Sequence, residues 1–193
     1  MKKLVLVAAP PACGKNYVSE LICRSCGQIS YFDKDDLSVL LHRSFDLCGE
    51  KLNMDGDFYL QNLRSAEYAT LFDLAFSALR FSDKVLVNAP LIKEVGDPKF
   101  MRGLKERAET LGAELILVWV VVSDRVRYER MKARNLARDS MKLAHWDEYV
   151  GKTAREIPFD LATKGVVDHL FVFENENSET ADESLQKLLV LLE

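Results

Sequence analysis

The chain has 193 residues, of which 48% are hydrophobic and 29% charged, and its net charge is −4. This suffices for one sizeable core and is short for two domains. The acidic balance argues against long nucleic acid as the default partner, and no run approaches the roughly 18 apolar residues of a membrane span.

The N-terminal Met-Lys-Lys followed by LVLVAA mimics a secretory leader. The apolar run over 4–9 is shorter than the roughly 7–15 residues of a signal core. It reads instead as a buried strand over 3–8, because the aliphatic residues are continuous. A helix is expected over 15–26, with Val18, Leu21 and Ile22 on one face and Gly27 closing it. A short strand over 28–32 and a helix over 35–43 follow. Asp57 is placed as the cap of a long helix to about residue 81, with Leu71, Leu74, Ala75, Ala78 and Leu79 as its apolar stripe. A third strand is expected over 84–88. Pro98 opens the next helix, which Gly112 closes. The fourth strand, over 114–122, is the most apolar and carries Trp119 into the core. Ser123 caps a basic helix, and a fifth strand covers 170–174. The last helix buries Leu185, Leu188, Leu189 and Leu192, with Thr180 and Glu183 as its capping box.

Cysteines stand at 13, 23, 26 and 48. The single CxxC at Cys23 and Cys26 lacks the second pair or histidine of a zinc site. The four read as reduced thiols of a cytoplasmic protein.

Strands alternating with helices imply one α/β domain over 1–193, with a five-stranded, mostly parallel sheet and helices on both faces. Ligands of such sheets bind beyond the carboxyl ends of the strands. The residues after each strand are therefore the functional candidates.

After the first strand, residues 9–16 (APPACGKN) carry Gly-Lys where a phosphate-binding loop has it. Such a loop needs inward backbone N–H groups, a helix N-terminus and a lysine that reaches the outer phosphates. Pro11, Ala12, Cys13, Gly14, Lys15, Asn16 and Tyr17 form the expected cradle. The loop departs from Gly-x-x-x-x-Gly-Lys-Ser/Thr at Ala9 and at Asn16, where a hydroxyl normally meets Mg²⁺. Cys13 within the loop suggests binding that is sensitive to oxidation.

After the second strand, DKDD supplies Asp33, Asp35 and Asp36. A carboxylate here can orient Mg²⁺ or take a proton from an acceptor hydroxyl, or it can cap the following helix. The third strand ends in Asn88, where a carboxylate of the magnesium shell is usual. Asn16, Asp33 and Asn88 are thus the candidate metal residues. After the fourth strand, residues 124–142 hold seven Lys/Arg against three acids, a local charge of +4. Arg127, Arg130, Arg134 and Arg138 recur at helical steps of three and four. Beside a phosphate loop they can neutralise a transferring phosphoryl group.

The loop with Lys15, followed about twenty residues later by the Asp35-Asp36 pair opening a helix, resembles P-loop kinases and AAA-type ATP-binding proteins, and within them the polynucleotide 5′-kinases and zeta-toxin-type phosphotransferases. The resemblance implies the three-layer P-loop NTPase fold. It implies Asp35 as general base and a small lid over about 134–145 whose R-x-x-x-R arginines, Arg134 and Arg138, join Lys15 in catalysis. It implies Arg130 on the nucleotide and Asn175 at the adenine edge. Polynucleotide kinases carry an arginine three residues after the base; here that residue is Ser38. The expectation is therefore a kinase that uses ATP and Mg²⁺ on a small-molecule hydroxyl acceptor. A nucleotide-binding protein with a degenerate site, and an RNA- or DNA-end 5′-kinase using the basic stripe, are the alternatives. No histidine receives a role, and the oligomeric state is not read.

Overall fold

A computed structural model of the chain describes residues 1–136, 139–153 and 157–193. Five strands, β1 (Lys2–Ala8), β2 (Ser30–Asp33), β3 (Lys84–Asn88), β4 (Ala113–Val121) and β5 (His169–Glu174), form one sheet in the order β2-β3-β1-β4-β5. Every pairing is parallel. The leader-like N-terminal run is the central strand, and its residues 4–8 are fully buried.

Because strand side chains alternate, β1 serves both layers. Leu4, Leu6 and Ala8 face one core with Val85, Val87, Leu115 and Trp119. Val5, Val7 and Ala9 face the other with Leu86, Ile116 and Val118. Helix α3 (Arg64–Leu79) and helix α5 (Pro98–Thr110) cover the first face; helix α1 (Lys15–Ser25) and the last helix, α10 (Ser178–Leu192), cover the second. The apolar stripe of α3 is Leu71, Phe72, Ala75, Phe76 and Leu79, whereas Leu74, expected in the stripe, is exposed.

Three local expectations are corrected. After β2 the chain makes a 3₁₀ turn (Lys34–Leu37) before α2 (Ser38–Cys48), because Asp33 caps that turn by accepting the Asp35 N–H at 2.9 Å. Helical backbone already runs from Asp57 into α3, with a π-helical stretch (Tyr59–Leu63) before Arg64, so Asp57 lies inside the element it was expected to cap. The capping box of α10 pairs Asn177 with Thr180, not Thr180 with Glu183: Asn177 is extended and stands outside the helix, and the two residues exchange backbone-to-side-chain bonds at 3.0 and 3.1 Å.

Between β3 and β4 lie the short helix α4 (Ile92–Val95) and α5, whose Asp97 side chain accepts the Lys99 and Phe100 N–H groups. The basic helix α6 (Asp124–Arg134) follows β4, capped by Ser123 as expected, and α7 (Ser140–Ala144), α8 (Trp146–Thr153) and α9 (Phe159–Thr163) lead to β5. Asp97 is exposed, so its contribution is the cap alone. Asp97→Ala should cost about 1 kcal/mol of unfolding free energy in a urea titration, and an unchanged midpoint would contradict the assigned cap.

Candidate functional site

The loop between β1 and α1 has two residues in the left-handed region, Ala12 (φ 67°) and Gly14 (φ 87°). Alternation of this kind curls successive N–H groups toward one concavity. Helix α1 starts directly behind it at Lys15, and its first turn contains no acid. Its first intrahelical bond within reach of the loop runs from Val18 N–H to the Gly14 carbonyl at 3.0 Å. The amides of residues 15–17 therefore stand at the positive end of an eleven-residue helix with no acidic side chain competing for them. Such an arrangement of amides suits an anion. Pro11, Asn16 and Tyr17 are exposed along its rim.

Three arginine and asparagine side chains brace the loop from behind. Asn175 Nδ2 donates to the Cys13 carbonyl at 2.8 Å, Arg130 donates to the same carbonyl at 3.2 Å and to the Asn175 carbonyl at 2.7 Å, and Arg127 Nε reaches the Pro11 carbonyl at 3.4 Å. Asn175 is 1% exposed and Arg127 4% exposed. Arg130 and Asn175, expected at the nucleotide, both bond the loop backbone here: Asn175 lies buried beneath the Cys13 carbonyl, and Arg130 is half-buried beside it. Cys13, expected to make binding sensitive to oxidation, is buried, and desolvation raises its thiol to about 11, against the lowering pull of Arg127 and Arg130. A thiol so raised has little of the reactive thiolate.

At the lysine, three adjacent strand ends meet. Val7 pairs with Asn88, and Asn88 pairs with Asp33. Lys15 Nζ donates to Asn88 Oδ1 at 2.5 Å and to Asn16 Oδ1 at 3.1 Å. Asn88 Nδ2 faces Asp33 Oδ2 at 2.5 Å, the Tyr31 hydroxyl at 2.9 Å and Asn16 Oδ1 at 3.1 Å. Tyr31 in turn donates to Asp33 Oδ2 at 2.6 Å. Burial lowers the Lys15 pKa, and Asp33 and Asp35 pull it back up. The Tyr31 hydroxyl is raised by burial and by its bond to Asp33. Lys15, Asn16, Asp33 and Asn88, all singled out from the sequence, thus share one network, and Tyr31, which the sequence reading missed, belongs to it. Asn88, expected near a metal, links two neighbours here: its oxygen accepts from Lys15 and its nitrogen donates to Asp33.

Asp35 is exposed, two residues beyond Asp33, and close enough to Lys15 to influence its charge. Lys34 turns the other way, onto the fully buried carboxylate of Glu67 at 2.8 Å, where the Tyr59 hydroxyl also bonds. Arg64 pairs with Glu94 at 2.6 Å and stacks over Tyr68 at 4.6 Å. No periodicity signals these pairs, which join residues from separate elements.

Among the described residues no group of three or more His, Cys, Asp or Glu is arranged to hold a metal ion. A protein cage is therefore not the fit. Mg²⁺ needs few protein donors when phosphates and water fill its octahedron, and the Asp33 carboxylate beside the Asn16 amide oxygen meets that smaller requirement. Arg134 bonds Asp139, and Arg138 lies outside the described residues. His145 takes no part in the network, and Trp146 packs on Tyr128 and Tyr149. No helix among the described residues is long and apolar enough to cross a membrane, and the four cysteines are free.

No known protein family matches the sequence, and no curated protein does. Solved structures do match. A protein of the PezAT toxin-antitoxin system of Streptococcus pneumoniae is 13% identical, with a TM-score of 0.64 over 97% of this chain and 77% of that one. Chaetomium thermophilum Kti12, solved with ADP-AlF3, is 13% identical, with a TM-score of 0.57 over 96% of each chain. Shikimate kinase from Bacteroides thetaiotaomicron is 12% identical, with a TM-score of 0.54 over 98% of each chain. At such identities the likeness is one of fold: the chain has the three-layer α/β fold of P-loop kinases.

Two outcomes follow for the loop. A Cβ on Gly14 would lie 2.3 Å from Asn175 Nδ2, at a φ that side chains rarely adopt. Gly14→Ala should therefore lower the melting temperature and weaken nucleotide binding together, and an unperturbed variant would contradict the bracing. Iodoacetamide at pH 8 should label exposed Cys48 well before Cys13, which is buried and whose thiol desolvation raises; peptide mapping that finds Cys13 first would contradict its burial.

Proposed function

We propose that the protein is an ATP-dependent phosphotransferase that moves the γ-phosphoryl group to a hydroxyl of a small-molecule acceptor. The observation that carries this reading is Lys15, whose ammonium stands between an anion-binding loop and the buried Asp33 carboxylate, with Asp35 at hand. The loop amides and Lys15 hold the β- and γ-phosphates, Lys15 exchanging its two amide oxygens for phosphate oxygens. Asp35 accepts the proton of the acceptor hydroxyl. The acceptor oxygen forms its bond to the γ-phosphorus as the bond to the β,γ-bridging oxygen breaks, and that electron pair leaves on ADP. Arg134 and Arg138 stabilise the charge on the transferred group. Asp33 and Asn16 would hold Mg²⁺, which would neutralise the charge developing on the phosphates. The protein would act in the cytoplasm on a neutral or weakly charged acceptor such as a nucleoside, sugar or hydroxylated antibiotic. Ser38, standing where an end-kinase has arginine, disfavours a nucleic-acid end.

One observation favours a second reading, a protein that binds nucleotide without transferring phosphate: Asn16 and Asn88 both replace groups that would strengthen a metal site. The test is ³¹P NMR of ATP and Mg²⁺ with a panel of nucleosides, sugars and hydroxylated antibiotics. The phosphotransferase reading expects a new phosphomonoester signal with one acceptor class. Asp35→Asn should slow its appearance by about 10²–10⁴-fold with ATP affinity unchanged. ATP that binds and stays intact with every acceptor would favour the binding-only protein.

A further inference from the structure

Arg134 closes α6, and its only partner among the described residues is Asp139. Its Nε donates to Asp139 Oδ2 at 2.6 Å. The carboxylate is completely buried, while the Arg134 side chain is 32% exposed. The other carboxylate oxygen, Oδ1, has no hydrogen bond and only the Lys142 ammonium, at 3.6 Å. The Asp139 backbone is itself fixed, its N–H donating to the Leu136 carbonyl at 2.9 Å.

The geometry of this contact is selective. A guanidinium offers one N–H on its inner edge and four on its two terminal nitrogens. Asp139 takes the inner one. The terminal nitrogens, the pair that meets two phosphoryl oxygens side by side, have no partner among the described residues. Helix α6 also sets where they stand. Arg127 and Arg130 reach back to the loop carbonyls of Pro11 and Cys13, and Arg134 continues the same face about one helical turn, roughly 5 Å, further on.

We infer that Asp139 is a positioning residue for Arg134: it holds the guanidinium by Nε so that its terminal edge is presented to the phosphoryl group in flight. The inference rests on the phosphotransferase reading and adds the residue that orients the arginine. Arg134 without that hold is a long side chain at a helix end with many rotamers, and misplacement of a charge-stabilising group by about 1 Å can cost 10²-fold in rate. Asp139 contacts no substrate in this scheme; its effect passes wholly through Arg134.

The test compares the affinity of the full chain, with Mg²⁺, for ADP and for ADP with fluoroaluminate, a mimic of the phosphoryl group in transfer. Wild type should bind the mimic about 100-fold or more tightly than ADP. Arg134→Ala and Asp139→Ala should each reduce that preference by about tenfold or more while ADP affinity stays level. Asp139→Asn, which keeps an oxygen acceptor for Nε, should restore most of it. The double variant should match Arg134→Ala, because Asp139 has nothing to act on once Arg134 is gone.

A normal preference in Asp139→Ala alongside a lost one in Arg134→Ala overturns the inference. So does a raised preference in Asp139→Ala, which would make Asp139 a trap for the arginine, or an equal loss of ADP and mimic binding, which would make it only a structural staple. Thermal melts of all four variants separate unfolding from these outcomes. A wild-type chain that binds ADP but shows no preference for the mimic overturns the phosphotransferase reading itself, and the inference with it.

Discussion

The site depends on keeping a lysine ammonium and an aspartate carboxylate together at the end of a buried sheet. Asp33 is nearly buried, and an uncompensated charge there would be costly. The fold supplies compensation across three neighbouring strands. Asn88, paired with Asp33 on one side and with Val7 on the other, offers its nitrogen to the acid and its oxygen to Lys15. An amide is the group suited to that position, since it donates and accepts at once. A carboxylate in its place would face Asp33 at 2.5 Å, and two like charges at that distance cannot both be held. The asparagine that looks like a lost catalytic residue in the sequence is thus consistent with the aspartate beside it.

The loop works on the same principle of surrounding support. Ala12 at φ 67° is a conformation that costs a residue with a side chain about 1–2 kcal/mol. It persists because the backbone around it is fixed: the Pro11 carbonyl by Arg127, and the Cys13 carbonyl by Arg130 and Asn175. Arg127 is in turn wedged against Asp124 and the Trp146 and Tyr149 rings. The basic helix therefore has two duties along one face. Its first turns hold the cradle, and Arg134 at its far end bonds Asp139.

This division explains what was legible in the sequence. The strands were readable because their aliphatic runs are continuous, and Gly27 and Gly112 mark helix ends by positive φ. Lys15, Asn16, Asp33 and Asn88 were readable as neighbours because each lies at or beyond the carboxyl end of a strand, and parallel strands bring those ends to one edge. The bonds of Arg130 and Asn175 to the loop backbone were not legible, because spacing reports which face of a helix a residue occupies and not what stands opposite. The bond from Asn175 to the Cys13 carbonyl spans 162 residues, and that from Lys15 to Asn88 spans 73. Leu74 misled for a related reason: the helical period allowed it in the stripe, and the core was filled by Phe72 and Phe76 instead. Asp139 carried no signal beyond being one of three acids among seven bases.

The most direct measurement is calorimetric titration of ATP into the full chain, with and without Mg²⁺, repeated on Lys15→Ala. A loop and lysine that hold the outer phosphates predict binding that Mg²⁺ strengthens and that Lys15→Ala weakens about 10- to 100-fold, the range for one charged hydrogen-bonding partner. Binding indifferent to both Mg²⁺ and Lys15 would contradict the site described above.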